Sequence, residues 1–398
     1  MQNPKNPKNP KNPKNPKIIN GYHEGVMIES NNSTNRFEVL DSFRGICAIC
    51  VVLFHMTIIN GISTLPFFKG SNVFVEFFFV LSGFVLTYGF AYKQDLNFKK
   101  YITARFFRIY PLHVFTLAAM IILELGKFIA EKHGVNFQIH SFTITKDVSE
   151  ILPNLLLVQA WTHLTQNDSF NGPAWSISIE FYTYILFFFT LMLNWKYRLI
   201  SWLIISALAF SLIINDTPYI PSTVARGLSC FFLGALSYVF IRRVQNQLTS
   251  KKLNSAFIFL EIAIPILIYA LIASSLAHKN IILSILFAIC ISTFSFQRGL
   301  ISKILATTPF TFTGKLSYSI YMTHAAILLV ITSLFIIAQK ITGLELTKII
   351  NGGRVIDAGS VSMNTLLAIL TLFLVIIVSN LTYKYIEKPF IKIGKKPL

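Results

Sequence analysis

The sequence predicts an all-α membrane protein: a polytopic bundle of about ten transmembrane helices with both termini in the cytoplasm. Three observations carry that prediction. First, only 13% of the 398 residues are charged and 54% are hydrophobic, with a mean hydropathy of +0.60. A soluble domain carries about 25% charged residues. Second, apolar runs of roughly 18 residues or more recur along the chain, as spanning helices require. The period-two alternation of a membrane barrel is not evident. Third, Lys and Arg are distributed asymmetrically. Ten spans are read at approximately 40–60, 72–92, 106–127, 174–193, 199–215, 221–241, 256–276, 280–297, 317–339 and 362–384. With the amino end inside, 26 of the 35 Lys and Arg fall on the cytoplasmic side, as the positive-inside rule asks.

Three regions follow. Residues 1–36 contain five copies of the tripeptide NPK at 3–17. Proline at every third position blocks a helix and the segment supplies no core, so a disordered basic tail is expected. It reads either as a lipid-binding or partner-binding arm or as a simple device that keeps the amino end inside. Residues 37–390 form the membrane domain, and 391–398 a short basic cytoplasmic tail. The first apolar run starts near Phe43, too far in for a secretory leader, and reads as a first span. The net charge of +18 would point to nucleic acid in a soluble protein. Here it records topology, and no nucleic-acid partner is expected. Cys47, Cys50, Cys230 and Cys290 all lie in apolar segments and read as small packing residues rather than metal or redox ligands.

Two segments on the other side are long, about 128–173 and 340–361. The first contains ILPNLLLVQAW at 151–161, too short to span and read as re-entrant or interfacial. It leads into NGPAWSISIEFY at 171–182, where Pro173 suits a first helical turn. Trp161 and Trp175 suit the aromatic belt.

Ionisable residues inside a bilayer are costly and by default mark a site. Arg44 and His55 lie eleven residues apart in FRGICAICVVLFH, about 16 Å along one helix and on nearly one face. Arg44 also reads as a boundary anchor, and His55 taken alone as a packing histidine. Glu76 opens span two near the level of His55, where a carboxylate could orient the imidazole. Ser82 and Gly83 read as small packing residues. Arg105 and Arg108, at i and i+3, could grip phosphates with their planar forks or anchor lipid headgroups. Glu180, Arg226, Tyr318, Tyr321 and His324 complete the set, with His113 at its margin; each taken singly also reads as a helix–helix hydrogen bond.

The ordered series of motifs resembles acyltransferase family 3, integral membrane enzymes that O-acylate sugars and other hydroxyl acceptors. It runs LDSFRGICAICVVLFH, FFVLSGFV, RFFRIYP, NGPAWSISIEFY, GKLSYSIYMTH and YIEKPF, across about residues 38–390. The resemblance implies a ten-helix domain in the bacterial cytoplasmic (inner) membrane. It implies an acyl-CoA donor, usually acetyl-CoA, and a glycan acceptor such as lipopolysaccharide O-antigen, capsule or exopolysaccharide. Arg44 and His55 match the family's R-x10-H pair and Arg105 and Arg108 its R-x-x-R pair. Glu180 and His324 match later motifs of less settled role. Glu76 stands where the family commonly has Asp, and Phe74 where it commonly has Gly. No hydrolase-like soluble domain is expected after span ten.

The mechanism expected from this set has Arg105 and Arg108 holding the CoA phosphates. His55 serves as general base, with Glu76 orienting it. A Tyr or Ser hydroxyl or Arg44 stabilises the oxyanion. No metal and no bound cofactor are expected; the acyl-CoA is a substrate, and membrane lipids surround the protein. The alternative is a polysaccharide or small-molecule transporter or flippase whose charged residues line a path, although no internal repeat is evident.

Overall fold

The structure is a computed structural model that describes residues 37–396 apart from 136, 138, 139, 249 and 351. The NPK repeats lie outside the described residues. Of the described residues 77% are helical, as in an all-α membrane protein. Among the described residues ten helices have 16 residues or more. They are α1 (Glu38–His55), α2 (Phe74–Phe90), α3 (Phe98–Lys132), α4 (Trp175–Leu191), α5 (Trp195–Ile214), α6 (Ser222–Leu248), α7 (Asn254–Ala273), α8 (Lys279–Phe294), α9 (Thr308–Thr342) and α10 (Val361–Thr382).

Among the described residues, eight helical segments are long and apolar enough to cross a membrane. The two long helices outside that set are α1, which carries Glu38, Asp41 and Arg44 in its 18 residues, and α8, which has 16. Burial sorts the bundle. The apolar stretches of α2, α4 and α6 are 61–67% buried and form its interior, while that of α5 is 17% buried and faces outward. The helix α3 begins earlier than its apolar run. Asn97 caps it by accepting a hydrogen bond from the Lys100 amide at 2.9 Å. Arg105 and Arg108 are therefore interior helical residues. At 35 residues α3 is about 52 Å long, well beyond the ~30 Å hydrocarbon core.

Two glycine crossings bring backbones together where hydrophobic burial gives no drive in lipid. On α1, a Cβ added to Gly45 would stand 2.6 Å from the Gly314 amide of α9, and one on Gly314 would strike the Asp41 carbonyl. On α2, a Cβ on Gly83 would strike the Phe231 carbonyl of α6, and one on Gly234 the Val80 carbonyl. Gly83 is thus a packing residue, as its size suggests. Both pairs run parallel, since residues further along each helix also meet.

The segment ILPNLLLVQAW is folded into the protein. It forms a short helix, Ile151–Leu155, and then irregular backbone in which Leu157 and Ala160 are buried. Non-helical backbone at this depth must find partners inside the protein. Leu157 O accepts from Ser178 Oγ at 2.6 Å, Ala160 O from Thr223 Oγ1 at 3.0 Å, and Leu155 O from Tyr110 OH at 3.0 Å. The segment 340–361 holds the sheet of the described residues, an antiparallel hairpin of β1 (Thr347–Ile350) and β2 (Gly353–Ile356). Its inner edge continues onto the chain leaving α1: the Ile356 amide donates to Thr57 O at 2.7 Å, and the Ile59 amide to Ile356 O at 3.1 Å. Asp357 receives a hydrogen bond from Lys348 Nζ at 2.7 Å, which together with the Gly359 amide and Asn364 holds its carboxyl down at about 2.

Ionisable residues also serve the fold. Glu261, fully buried in α7, accepts from the Gly299 and Ser302 amides at 2.8 Å each and caps the short helix Leu300–Leu305. Lys279 Nζ donates to Ile272 O and Ser274 O at the end of α7.

The glycine crossings are testable. Gly45→Leu should cost about 3 kcal/mol through forced overpacking, read as a lowered melting temperature in detergent. Gly126→Ala in α3, where nothing stands within 4 Å of an added Cβ, should instead stabilise by about 0.5–1 kcal/mol through helix propensity. Equal effects at the two positions would remove the α1–α9 contact from the account.

Candidate functional site

The chemistry-bearing residues gather at two poles of the bundle. From the Gly45–Gly314 contact, ten residues further along each helix stand His55 on α1 and His324 on α9. Equal offsets on two parallel helices, about 15 Å of rise each, bring the two rings to a centroid separation of 5.0 Å. His324 is fully buried and His55 half-buried. His55 closes the last turn of α1.

Backbone carbonyls assign the protons, because a carbonyl only accepts. His324 Nδ1 stands 3.2 Å from Ile320 O, so it carries a hydrogen and Nε2 carries a lone pair. His55 Nδ1 stands 2.9 Å from Val51 O, so it too carries a hydrogen. That hydrogen is shared with His324 Nε2 at 3.3 Å. The remaining nitrogen, Nε2 of His55, has a lone pair and no hydrogen-bond partner among the described residues. A proton accepted there makes an imidazolium whose Nδ1–H already faces two acceptors.

Glu76 does not join this pair. Its Oε1 accepts from Arg226 Nε at 2.7 Å, across the α2–α6 interface that the Gly83 and Gly234 crossing sets. The Arg226 guanidinium lies 4.9 Å from the Trp175 ring centroid. The expectation that Glu76 orients His55 is corrected: the arginine claims the carboxylate, and Val51 O and His324 Nε2 hold the imidazole.

Arg44, Arg105 and Arg108 gather at the opposite pole. They interact electrostatically with one another and with Glu180, Tyr184 and Glu387. Arg44 pairs with Asp41 at 3.7 Å. Arg44 thus leaves His55's neighbourhood, about three helical turns away, and an oxyanion role for it does not fit. Arg105 lies 5.9 Å from the Phe90 ring centroid, and its Nε is buried without a hydrogen-bond partner. Glu180 Oε1 accepts from Ser82 Oγ at 2.6 Å and from Tyr184 OH. Ser82 therefore does more than pack.

The tyrosines tie elements together. Tyr318 OH donates to Ile109 O at 2.6 Å, holding α9 to the arginine-bearing turn of α3. Tyr321 OH donates to Pro173 O at 2.9 Å and stands 2.9 Å from Ser176 Oγ. His113 Nε2 donates to Asn154 O at 2.9 Å and anchors the buried segment 151–161. Sequence reasoning passed over Glu387. It is buried in the π-helical turn Tyr383–Glu387 and accepts from Ser319 Oγ at 2.7 Å. Such π-turns recur at functional sites. The signal was an acidic residue inside YIEKPF, the last motif of the series, to which no role was given.

Comparison with known proteins places the chain in a family. The Acyltransferase domain family matches residues 37–384. The peptidoglycan O-acetyltransferase OatA of Listeria monocytogenes is 23% identical over 389 residues, covering 89% of this chain and 56% of that protein. The acyltransferase MdmB of Streptomyces mycarofaciens is 34% identical over 119 residues, 29% of this chain and 27% of that protein. Protein 2 in the picA locus of Rhizobium radiobacter is 29% identical over 157 residues, 38% of this chain and 80% of that protein. The chain thus spans little more than half the length of OatA. No solved structure matches it. A family match across nearly the whole membrane domain, on a bundle that assembles the family's R-x10-H, R-x-x-R and later motifs into two clusters, makes this chain a multi-pass membrane member of the acyltransferase family 3.

Proposed function

We propose that this protein is an O-acyltransferase that moves an acyl group, acetyl in the simplest case, from acyl-CoA to a hydroxyl of a cell-envelope glycan. The observation that carries the reading is the unpartnered Nε2 of His55, held by its own helix and by His324 in a chain of an acyltransferase family. The relative named as a peptidoglycan O-acetyltransferase supports a glycan as acceptor. The membrane is the bacterial cytoplasmic membrane, and the charge asymmetry supports cytoplasmic termini.

In this reading the two poles divide the work. Arg105 and Arg108, with Arg44 beside them, bind the CoA phosphates. Arg105 Nε, buried and without a partner, is a donor that suits an anion. Acyl-CoA is a substrate here. Its pantetheine arm lies along α1, and the thioester reaches the histidine pole about 16 Å away. His55 Nε2 takes the proton of the acceptor hydroxyl as the oxygen attacks the thioester carbonyl carbon. The C–S bond breaks and the thiolate leaves with the electron pair. The imidazolium then returns its proton to the thiolate or to solvent. His324 positions His55 by fixing the hydrogen on Nδ1, so that the lone pair stays on Nε2.

His55→Ala should lower acyl transfer by about 10²–10⁴-fold, the usual worth of a general base, with unchanged abundance in the membrane. Full O-acetylation of the envelope glycan by that variant, read by mass spectrometry, would end the proposal. His324→Ala should reduce kcat by a smaller factor and leave acyl-CoA binding intact. Equal transfer rates for wild type and His324→Ala would remove it as a positioning residue. Arg105→Ala combined with Arg108→Ala should weaken acetyl-CoA binding at least about tenfold, as expected from lost charge-assisted hydrogen bonds. Calorimetry on the purified protein measures this, and undiminished affinity would place the donor elsewhere.

A further inference from the structure

The Glu76–Arg226 pair has hydrogen-bonding capacity left over. Only Arg226 Nε is engaged by Glu76. The two terminal amino groups of the guanidinium have no hydrogen-bond partner among the described residues, and the side chain is 23% exposed. Glu76 is 2% exposed, and its Oε2 is buried with no hydrogen-bond partner among the described residues. A buried carboxylate oxygen without a donor costs about 1–3 kcal/mol or more. A pair that served only to join α2 to α6 would be expected to satisfy it. The Trp175 ring, 4.9 Å beneath the guanidinium, fixes the plane in which the free amino groups lie.

This pair borders the histidine pole. Tyr321 stands between them. Its ring lies 6.0 Å from that of His324 and 5.8 Å from that of Phe78, two residues beyond Glu76 on α2. Its hydroxyl is tied to Ser176 and Pro173, the neighbours of Trp175. Tyr321 also interacts electrostatically with Arg226 and Glu76.

From this geometry we infer that Glu76 and Arg226 form the acceptor subsite, and that it takes a neutral, hydroxyl-rich sugar residue. Two free donors beside one free carboxylate oxygen complement neighbouring hydroxyls: one accepts from Arg226 and the other donates to Glu76. The pair is neutral overall. An anionic or a cationic sugar would be attracted by one partner and repelled by the other, so the pair offers charge no net advantage and suits hydroxyls. The arginine pole, with its unpartnered donors, suits phosphate instead. The inference rests on the acyl-transfer reading above.

The test uses purified protein in nanodiscs with radiolabelled acetyl-CoA and three saccharide probes: chitotriose, cellotriose and tri-galacturonate. The neutral trimers should receive label and the uronate should not. Arg226→Lys, which keeps the charge and loses the fork, and Glu76→Gln, which keeps the shape, should each raise the saccharide KM about tenfold or more. The acetyl-CoA KM should hold in both. A saccharide KM unchanged in variants that still bind acetyl-CoA would overturn the subsite. So would a parallel loss of melting temperature, acetyl-CoA affinity and saccharide affinity, which would mark a pair that only joins helices. Preference for tri-galacturonate, or label on none of the three probes while the protein still releases CoA from acetyl-CoA, would overturn the neutral-sugar assignment. A wild-type protein that neither binds nor turns over acetyl-CoA would sink the acyl-transfer reading itself.

Discussion

The contact of Gly45 with Gly314 is the constraint on which the histidine pole depends. Neither position has room for a Cβ, because the facing backbone occupies the space. The glycines let α1 and α9 approach at backbone distance, and in lipid such close packing takes the place of a hydrophobic drive. Two parallel helices in register at one point stay in register along the pair. Ten residues on, the same closeness sets His55 Nδ1 3.3 Å from His324 Nε2. A wider crossing would separate the rings, and the tautomer of His55 would then be fixed by Val51 O alone.

The second glycine crossing does for α2 and α6 what the first does for α1 and α9. It places Glu76 against Arg226 near the start of both helices. Burying an ion pair is expensive, and breaking one by removing a partner costs about 3–5 kcal/mol. Here the ion pair lies beside the candidate catalytic histidine, and hydrogen-bonding groups on both partners remain unused. Elsewhere buried charge is spent on the fold. Glu261 caps a short helix and Lys279 caps a helix end. Depth in the bilayer therefore does not by itself separate site residues from structural ones. Arg105 Nε and Glu76 Oε2 are set apart by place as well: each lies at one of the two clusters and has no hydrogen-bond partner among the described residues.

Much of the architecture was legible in the sequence because lipid imposes a simple rule: every spanning backbone must satisfy itself as a helix. Each of the ten apolar runs corresponds to a long helix. The ends were less legible. Helices α3 and α9 continue into polar sequence, where capping and neighbouring elements decide rather than hydropathy. The hairpin Thr347–Ile356 left no strong alternating pattern, since within its two four-residue strands only Thr347 and Ile356, at the open end, are buried.

The sequence by itself determined the class of protein, the positions of its helices and the residue types able to do acyl transfer. These follow from composition, from run length and from motifs that sit within single helices. The tertiary structure alone decided the partners. His324 rather than Glu76 meets His55, Arg226 takes Glu76, and Arg44, about 16 Å from His55 along α1, lies with Arg108 and Glu387. The physical reason is that a helix fixes spacing along its own axis, whereas which side chains meet across two helices depends on where the backbones touch. That was settled by glycines 8–10 residues away from Arg226, His55 and His324.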